Sequence, residues 1–147
     1  MNNSNGIGIF GYKKLPQDAV DIRIKVFVEE QGFDEEFDSD DERSMHFVAY
    51  TNDKAVGTCR LIRLDSEKHI YAIGRVAVLK DYRCRGIASE LISSAEQYLS
   101  ATDKEGATVL IHSQLTAIGF YEKLGYKLTG ECDVEQGCPH AMLKKDI

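Results

Sequence analysis

The sequence predicts a mixed α/β fold built around a largely antiparallel sheet, and three observations support this class. Apolar segments of strand length are separated by three segments whose apolar residues recur every three or four positions. Turn-forming residues join two of the strand segments in a hairpin, as antiparallel pairing allows. The chain has 147 residues, 43% of them hydrophobic, which suits one globular domain, expected over 1–147.

The first half of the sequence predicts a strand, a helix and three more strands. Pro16 suits the first turn of a helix, where its missing N–H removes no hydrogen bond. Val20, Ile24 and Phe27 continue the helix as an apolar stripe, and Gly32 ends it. Residues 51–54 have the composition of a turn. The expected bounds are a strand at 7–12, a helix at 16–29 and strands at 47–50, 55–64 and 71–79.

The second half predicts two helices and three strands. Ile87, Leu91 and Ile92 share one face of the first helix, and Gly125 ends the second. The expected bounds are helices at 86–101 and 115–124 and strands at 108–112, 126–131 and 140–144. The complete predicted order is β-α-β-β-β-α-β-α-β-β.

Composition excludes several classes of function. A net charge of −6 argues against nucleic-acid binding, which requires a basic surface. The sequence has no apolar run of membrane-spanning length and no recognisable signal peptide, so we expect a cytoplasmic protein with no membrane partner. Its four cysteines form no CxxC pair, which favours free thiols over a zinc site or a structural disulfide.

Much of the acidity lies at 34–42, and this segment fails a test for calcium binding. Counted from Asp34, the sixth position is Ser39 and the twelfth is Met45, where an EF-hand loop needs Gly and Glu. We therefore expect an acidic loop that faces solvent or substrate, and no bound metal in the protein.

A candidate anion site follows the apolar run 76–78. Residues 83–88, with the sequence RCRGIA, open the first helix of the second half. First-turn N–H groups have no intrahelical partner, and the helix dipole favours negative charge there. Gly86 tolerates positive φ and allows close approach of a ligand. The segment therefore predicts phosphate or diphosphate binding. The alternative is a surface turn with two solvated arginines before an ordinary core helix, which has the same sequence pattern.

The spacing Arg-x-x-Gly-x-Ala after Val-x-Val resembles the acetyl-CoA signature of the GNAT acetyltransferase superfamily. The resemblance covers nearly the whole chain. It implies that acetyl-CoA is the co-substrate, that the loop amides bind its diphosphate and that the strand before them splays to bind the pantetheine arm. The implied contacts are Val76, Ala77, Val78, Arg83, Cys84, Arg85, Gly86, Ile87, Ala88 and Ser89.

A second matching motif is FYEKLGY at 120–126. A tyrosine at the place of Tyr121 in this family often faces the CoA sulfur, and a phenol suits a general acid that protonates the leaving thiolate. The alternative is a helix end whose aromatic residues belong to the core, which is our interpretation of Phe120 and Tyr126.

The general base is less determined. The ending Gly-x-Pro-His-x-x-Met resembles one GNAT branch in which this histidine, here His140, has been assigned as a base near the acyl centre. Histidine suits proton transfer at neutral pH. The alternative is a histidine that only orders the start of its strand. His112 is the second candidate, or a residue that hydrogen-bonds backbone groups below the site.

The segment around Arg23 is similar to the same branch, including its ElaA-type subgroup. Arg23 and Phe27 are one helical turn apart and share a face. Arg23 could bind an anionic group of the substrate or form a salt bridge with the acidic loop. Glu29 is a further base candidate or a cap for loop amides. The resemblance implies an anion contact for Arg75, which strand alternation places on the same face as Ala77.

Together these features predict an N-acetyltransferase that moves acetyl directly from acetyl-CoA to a primary amine. A homodimer is common in the family that the chain resembles, so the resemblance also implies a possible homodimer. The two arginines favour a small amine that also carries an anion, whereas the acidic loop favours a cationic acceptor. Two alternatives remain open at this point. One is a CoA-binding sensor or partner-binding module without turnover, and the other is a protein lysine or N-terminal acetyltransferase.

Overall fold

The computed structural model describes residues 6–33, 37–135 and 137–147. Seven strands form one sheet in the order β1-β2-β3-β4-β5-β7-β6. The strands are β1 (Gly8–Tyr12), β2 (Ser44–Thr51), β3 (Lys54–Asp65), β4 (Ile70–Val78), β5 (Thr108–Gln114), β6 (Lys127–Glu135) and β7 (Cys138–Asp146), and the α-helices are α1 (Gln17–Arg23), α2 (Ile87–Thr102) and α3 (Ile118–Lys123). The predicted fold class and order of elements are confirmed.

The pairing of β4 with β5 creates an opening in the sheet. This pair is parallel and covers only residues 70–73 and 108–111. Beyond Ile73, β4 stays paired with β3 as far as Val78, while β5 stays paired with β7 as far as Gln114. The two strands therefore diverge, and their last residues are not paired with each other.

Helix α2 covers one face of the sheet and starts at the open end of β4. Its buried residues include Leu91, Ile92 and Leu99. At Gly57 of β3, an added Cβ would lie 2.9 Å from Ile87 Cγ2 and 3.1 Å from Leu91 Cδ1. The missing side chain at Gly57 thus lets the start of α2 lie directly against the sheet.

The other face is covered by α1 and by a π-helical continuation, Ile24–Glu30. The buried residues of this face include Ala19, Ile22 and Val26, packed against Ala77 of β4. The prediction of one helix over 16–29 holds in extent, but its second half has the wider π geometry, with Gln31 N–H donating to Val26 O at 3.1 Å. Such segments occur often at functional sites.

The acidic segment differs from its prediction as a loop. Ser39–Arg43 form a 3₁₀ helix whose first turn is capped by the side chain of Asp38, which accepts from Asp40 N–H at 3.1 Å. Residues 34–36 of this segment lie outside the described residues. Among the helices of the described part, none is long and apolar enough to cross a membrane.

Candidate active site

A cavity of about 460 Å³ opens where β4 and β5 diverge. Residues of β4 and β3 line it, together with residues of β5, β7 and α3. Its lining includes Gly74, Val76, His112, Gln114, Tyr121 and His140. Val76 of the predicted donor set thus shares one cavity with the predicted catalytic pair, whereas the predicted turn residues 83–89 are not part of its lining.

A β-bulge shapes the β4 wall. Thr58 pairs with Ala77 but Arg60 pairs with Gly74, so two residues of β4 lie opposite Cys59. Arg75, within the bulge, has a φ of 51°. The bulge shifts the alternation of side chains, so the regular alternation used to predict the face of Arg75 does not continue through it.

The turn after β4 has the backbone of an anion site. Cys84 and Gly86 both have positive φ, 63° and 81°, and α2 begins at Ile87. Successive N–H groups in such a turn point the same way as those of the first helical turn. A Cβ added at Gly86 would meet no atom within 4 Å, so the space beside this backbone is open.

The two arginines of the turn are not equivalent. Arg83 donates from Nη1 and Nη2 to both carboxylate oxygens of Glu30, each at 2.6 Å, and from Nε to Val78 O at 2.9 Å. Those hydrogen bonds from Arg83 hold the pKa of Glu30 below its usual value. Arg85 is exposed and lies over the ring of Tyr82. Arg83 therefore ties the turn to the π-helical segment, a role that was not predicted.

Tyr121 projects from α3 into the same cavity and is 7% exposed. Its ring packs edge-on against Phe120 and Tyr126. Burial, with a smaller contribution from the neighbouring Cys59 thiol, raises the pKa of Tyr121 well above its ordinary value. The phenol therefore carries its proton at neutral pH, as a general acid must.

His140, at 6% exposure, is held in a defined tautomer. Its Nδ1 lies 2.9 Å from Cys138 O. A carbonyl oxygen can only accept, so Nδ1 carries the proton and Nε2 of the neutral ring has a lone pair. His140 also stacks on His112, with ring centroids 4.6 Å apart.

His112 lies between two carboxylates of β6. Its Nε2 is 2.6 Å from Asp133 Oδ1 and its Nδ1 is 3.2 Å from Glu135 Oε2. The alternative role suggested for His112, hydrogen bonding to backbone groups, therefore differs from the partners that are present. Neither carboxylate was predicted as a site residue. The two residues are two positions apart in a strand that precedes the Pro-His ending, and this spacing places both on one face of the strand.

Arg23 is not available to a substrate. Its side chain is 1% exposed, and Nη1 and Nη2 donate to the two oxygens of Asp41 at 2.9 and 3.1 Å. Arg60 donates to Asp41 as well, at 3.0 Å. Burial alone would raise the pKa of Asp41, but these two arginines lower it to about 2. Of the two predicted roles for Arg23, the salt bridge with the acidic segment is the one present.

The remaining predicted substrate residues are divided. Phe27 and Arg75 line the cavity, and Arg75 Nη2 lies 3.2 Å from Asp38 Oδ2. Glu29 is exposed and lies outside the described residues that line it. Gln31, from the same segment, lines the cavity instead of Glu29, and its Oε1 accepts a hydrogen bond from Gln114 Nε2 at 2.9 Å.

Comparison with known proteins assigns this geometry to a family. A family model described as an acetyltransferase (GNAT) domain matches residues 13–147. Two Bacillus subtilis relatives cover 88% of the chain: the uncharacterized protein YyaT, 33% identical over 88% of its own length, and the uncharacterized N-acetyltransferase YjcF, 32% identical over 91%.

Two solved structures have the same fold. A Lactobacillus plantarum protein, provisionally named an N-acetyltransferase, superposes with a TM-score of 0.84 at 31% identity, over 96% of this chain and 98% of its own. Escherichia coli ElaA superposes with a TM-score of 0.83 at 24% identity, over 95% and 99%.

Proposed function

Because this chain belongs to the GNAT acetyltransferase family, we propose that it transfers the acetyl group of acetyl-CoA directly to a primary amine of a small molecule. One observation carries the proposal. A single cavity contains the open edge of β4, the protonated Tyr121 and the lone pair of His140, which are the three parts that this reaction needs. A CoA-binding module without turnover would not need the last two.

The donor is held mainly by backbone. The amides of residues 84–89 bind the diphosphate, because they combine a positive-φ turn with the first turn of α2. The exposed edge of β4 at 76–78 hydrogen-bonds the pantetheine arm. An amide of this edge polarises the thioester carbonyl as negative charge develops on its oxygen.

The chemistry requires one base and one acid. His140 Nε2 accepts a proton from the acceptor ammonium, directly or through one water, and the neutral amine attacks the carbonyl carbon. The new C–N bond forms, the C–S bond breaks, and the thiolate takes the proton of the Tyr121 hydroxyl. The nitrogen, now bonded to the acetyl group, loses its second proton, which returns through solvent to the Tyr121 phenolate, and His140 releases its own proton to solvent. The place of Tyr121 in the cavity lining supports this role, and its phenol is protonated at neutral pH.

The acceptor lies between Phe27, Gln31 and the His112–His140 pair. Arg75 is the remaining predicted arginine at the cavity wall, partly exposed although bound to Asp38. It would contact an anionic group on the acceptor, whereas Asp133 and Glu135 would favour a second cation. Amino acids, amino sugar phosphates and polyamines are therefore the informative acceptor classes.

The test is release of free CoA thiol from acetyl-CoA with a panel of these amines and of lysine peptides, in the presence of a chelator. We expect at least one small amine to release CoA. In His140→Gln, turnover should fall on the order of 100-fold or more, with acetyl-CoA affinity kept.

The matched control is His69→Gln, which removes a histidine outside the set lining the cavity and should leave turnover unchanged. Binding of acetyl-CoA without release by any amine would contradict the proposal and favour a sensor. A preference for peptides over every small amine would favour a protein acetyltransferase.

A further inference from the structure

We propose that the acceptor side of the cavity contains a binding site for one divalent transition-metal ion, for which Zn²⁺ is the probe. The ligands are His112, Glu135 and His140. One nitrogen or oxygen atom of each lies within 4.8 Å of the other two, and this is the one such group among the described residues. Two imidazoles and one carboxylate are a common ligand set for zinc sites that keep a fourth position open.

The hydrogen bonds around the two histidines leave the correct atoms for a metal. His140 donates Nδ1–H to Cys138 O, so its Nε2 lone pair is available. At 2.6 Å from Asp133, His112 Nε2 is placed to donate, which leaves the lone pair on Nδ1. Metal-binding histidines characteristically donate their second N–H to a carboxylate or a backbone carbonyl, and both forms are present here.

The distances require little movement, although the imidazole rings of His112 and His140, which are stacked with 23° between their planes, must turn so that both lone pairs point at one ion. With bonds of about 2.0–2.1 Å, the ligand atoms of tetrahedral zinc are about 3.3 Å apart. His112 Nδ1 and Glu135 Oε2 are already 3.2 Å apart. The other pairs must close by about 1.5 Å at most, and Glu135, whose side chain is 49% exposed, can move by changing rotamer.

The contacts of His112 with the two carboxylates are not alike. Donation from Nε2 to Asp133 leaves Nδ1 without a proton at 3.2 Å from Glu135 Oε2, so a lone pair and a carboxylate oxygen lie side by side. A metal between these two atoms and Nε2 of His140 would use all three converging groups, and this is the reason to favour it.

The site would have a chemical consequence, which rests on the proposed function. A metal on Nε2 of His140 occupies the lone pair that the base needs, so bound metal and proton transfer by His140 exclude each other. The open position would face the acceptor pocket and bind water or an amine. Zinc should therefore inhibit acetyl transfer.

Binding is measured by calorimetric titration of metal-free protein with Zn²⁺, without acetyl-CoA or acceptor. The protein carries Cys132→Ser and Cys138→Ser, because these two free thiols lie on the same strands, β6 and β7, and could bind zinc themselves. We expect one ion per chain with a Kd of about 10 μM or tighter, and a loss of about 10-fold or more in both His112→Gln and Glu135→Gln.

The matched control is Glu131→Gln, which removes the same charge from an exposed position of β6 and should bind zinc as the parent does. Cobalt should give the visible absorption of a tetrahedral nitrogen and oxygen site. A Kd weaker than about 100 μM, or equal affinity in all three variants, would overturn the metal site. Neither result bears on acetyl transfer, because this assay contains no CoA.

Discussion

The donor side and the acceptor side of the candidate site are built in different ways. The donor side, residues 76–89, is one continuous stretch whose backbone is set by a bulge, a positive-φ turn and a helix start. The acceptor side is assembled from side chains that meet through strand pairing, His112 on β5, Asp133 and Glu135 on β6, and His140 on β7. A backbone site therefore depends on a few local conformations, whereas a side-chain site depends on register across three strands.

The sharpest way to break the donor side alone is Gly86→Val. The φ of 81° at Gly86 is strained for any β-branched residue, so the turn must change shape and the amides lose their alignment. We expect acetyl-CoA affinity to fall on the order of 100-fold or more, measured by calorimetry, with little change in the acceptor side.

Gly86→Asn is the control, since asparagine tolerates the left-handed conformation, and it should lose much less affinity. A folded Gly86→Val protein with parental affinity would remove the turn from the donor site.

A comparably large loss is expected from a change at Tyr121, but in turnover and not in acetyl-CoA binding. In Tyr121→Phe the leaving thiolate loses its proton donor, so kcat should fall by about 100-fold while acetyl-CoA affinity stays constant. Tyr98→Phe removes a hydroxyl from an α2 tyrosine outside the cavity lining and should have no effect. Parental turnover in Tyr121→Phe would exclude it from the mechanism.

These two sides also differ in how far the sequence predicts them. The order of elements and the family follow from periodicity and motif, and Gly86 marks a place that tolerates positive φ, because each is encoded within a few neighbouring residues. Asp133 and Glu135 were missed because their importance comes from pairing between β6 and β7. Arg23 was left with two roles because the sequence does not say that Asp41 lies beside it, and the π geometry of 24–30 had no sequence signal that we recognised.

A smaller effect, on stability, is expected from the buried charges around Asp41, whose partner Arg60 lines the cavity. The pKa of Asp41 is about 2 in the folded protein, below its ordinary 3.8, so its ion pairs stabilise the fold at pH values above about 4. That contribution, about 2 kcal/mol, should be lost as the pH falls from 4 towards 2. The free energy of unfolding from urea titrations measures it.

Asp41→Asn should flatten this part of the pH dependence, and Asp40→Asn, at a more exposed neighbour, should keep it. If the parent and Asp41→Asn lost stability equally between pH 4 and 2, other carboxylates would account for the acid sensitivity.

The smallest expected effect is on CoA affinity in Glu30→Gln, which tests whether the donor side uses any charged side chain. Arg83 is bound to Glu30, and both side chains are more than a third exposed, so their pair contributes only about 0.2–1 kcal/mol. Glu30→Gln should release the guanidinium towards the diphosphate and tighten CoA binding by about 2- to 5-fold at low salt.

Asp81→Asn removes the same charge beside the turn without releasing an arginine, so it separates this effect from a general loss of negative charge. Equal gains in both variants would mean that only net charge matters. Weaker binding in Glu30→Gln would mean that the Arg83–Glu30 pair serves to hold the turn in shape, and the donor side would then depend on its backbone alone.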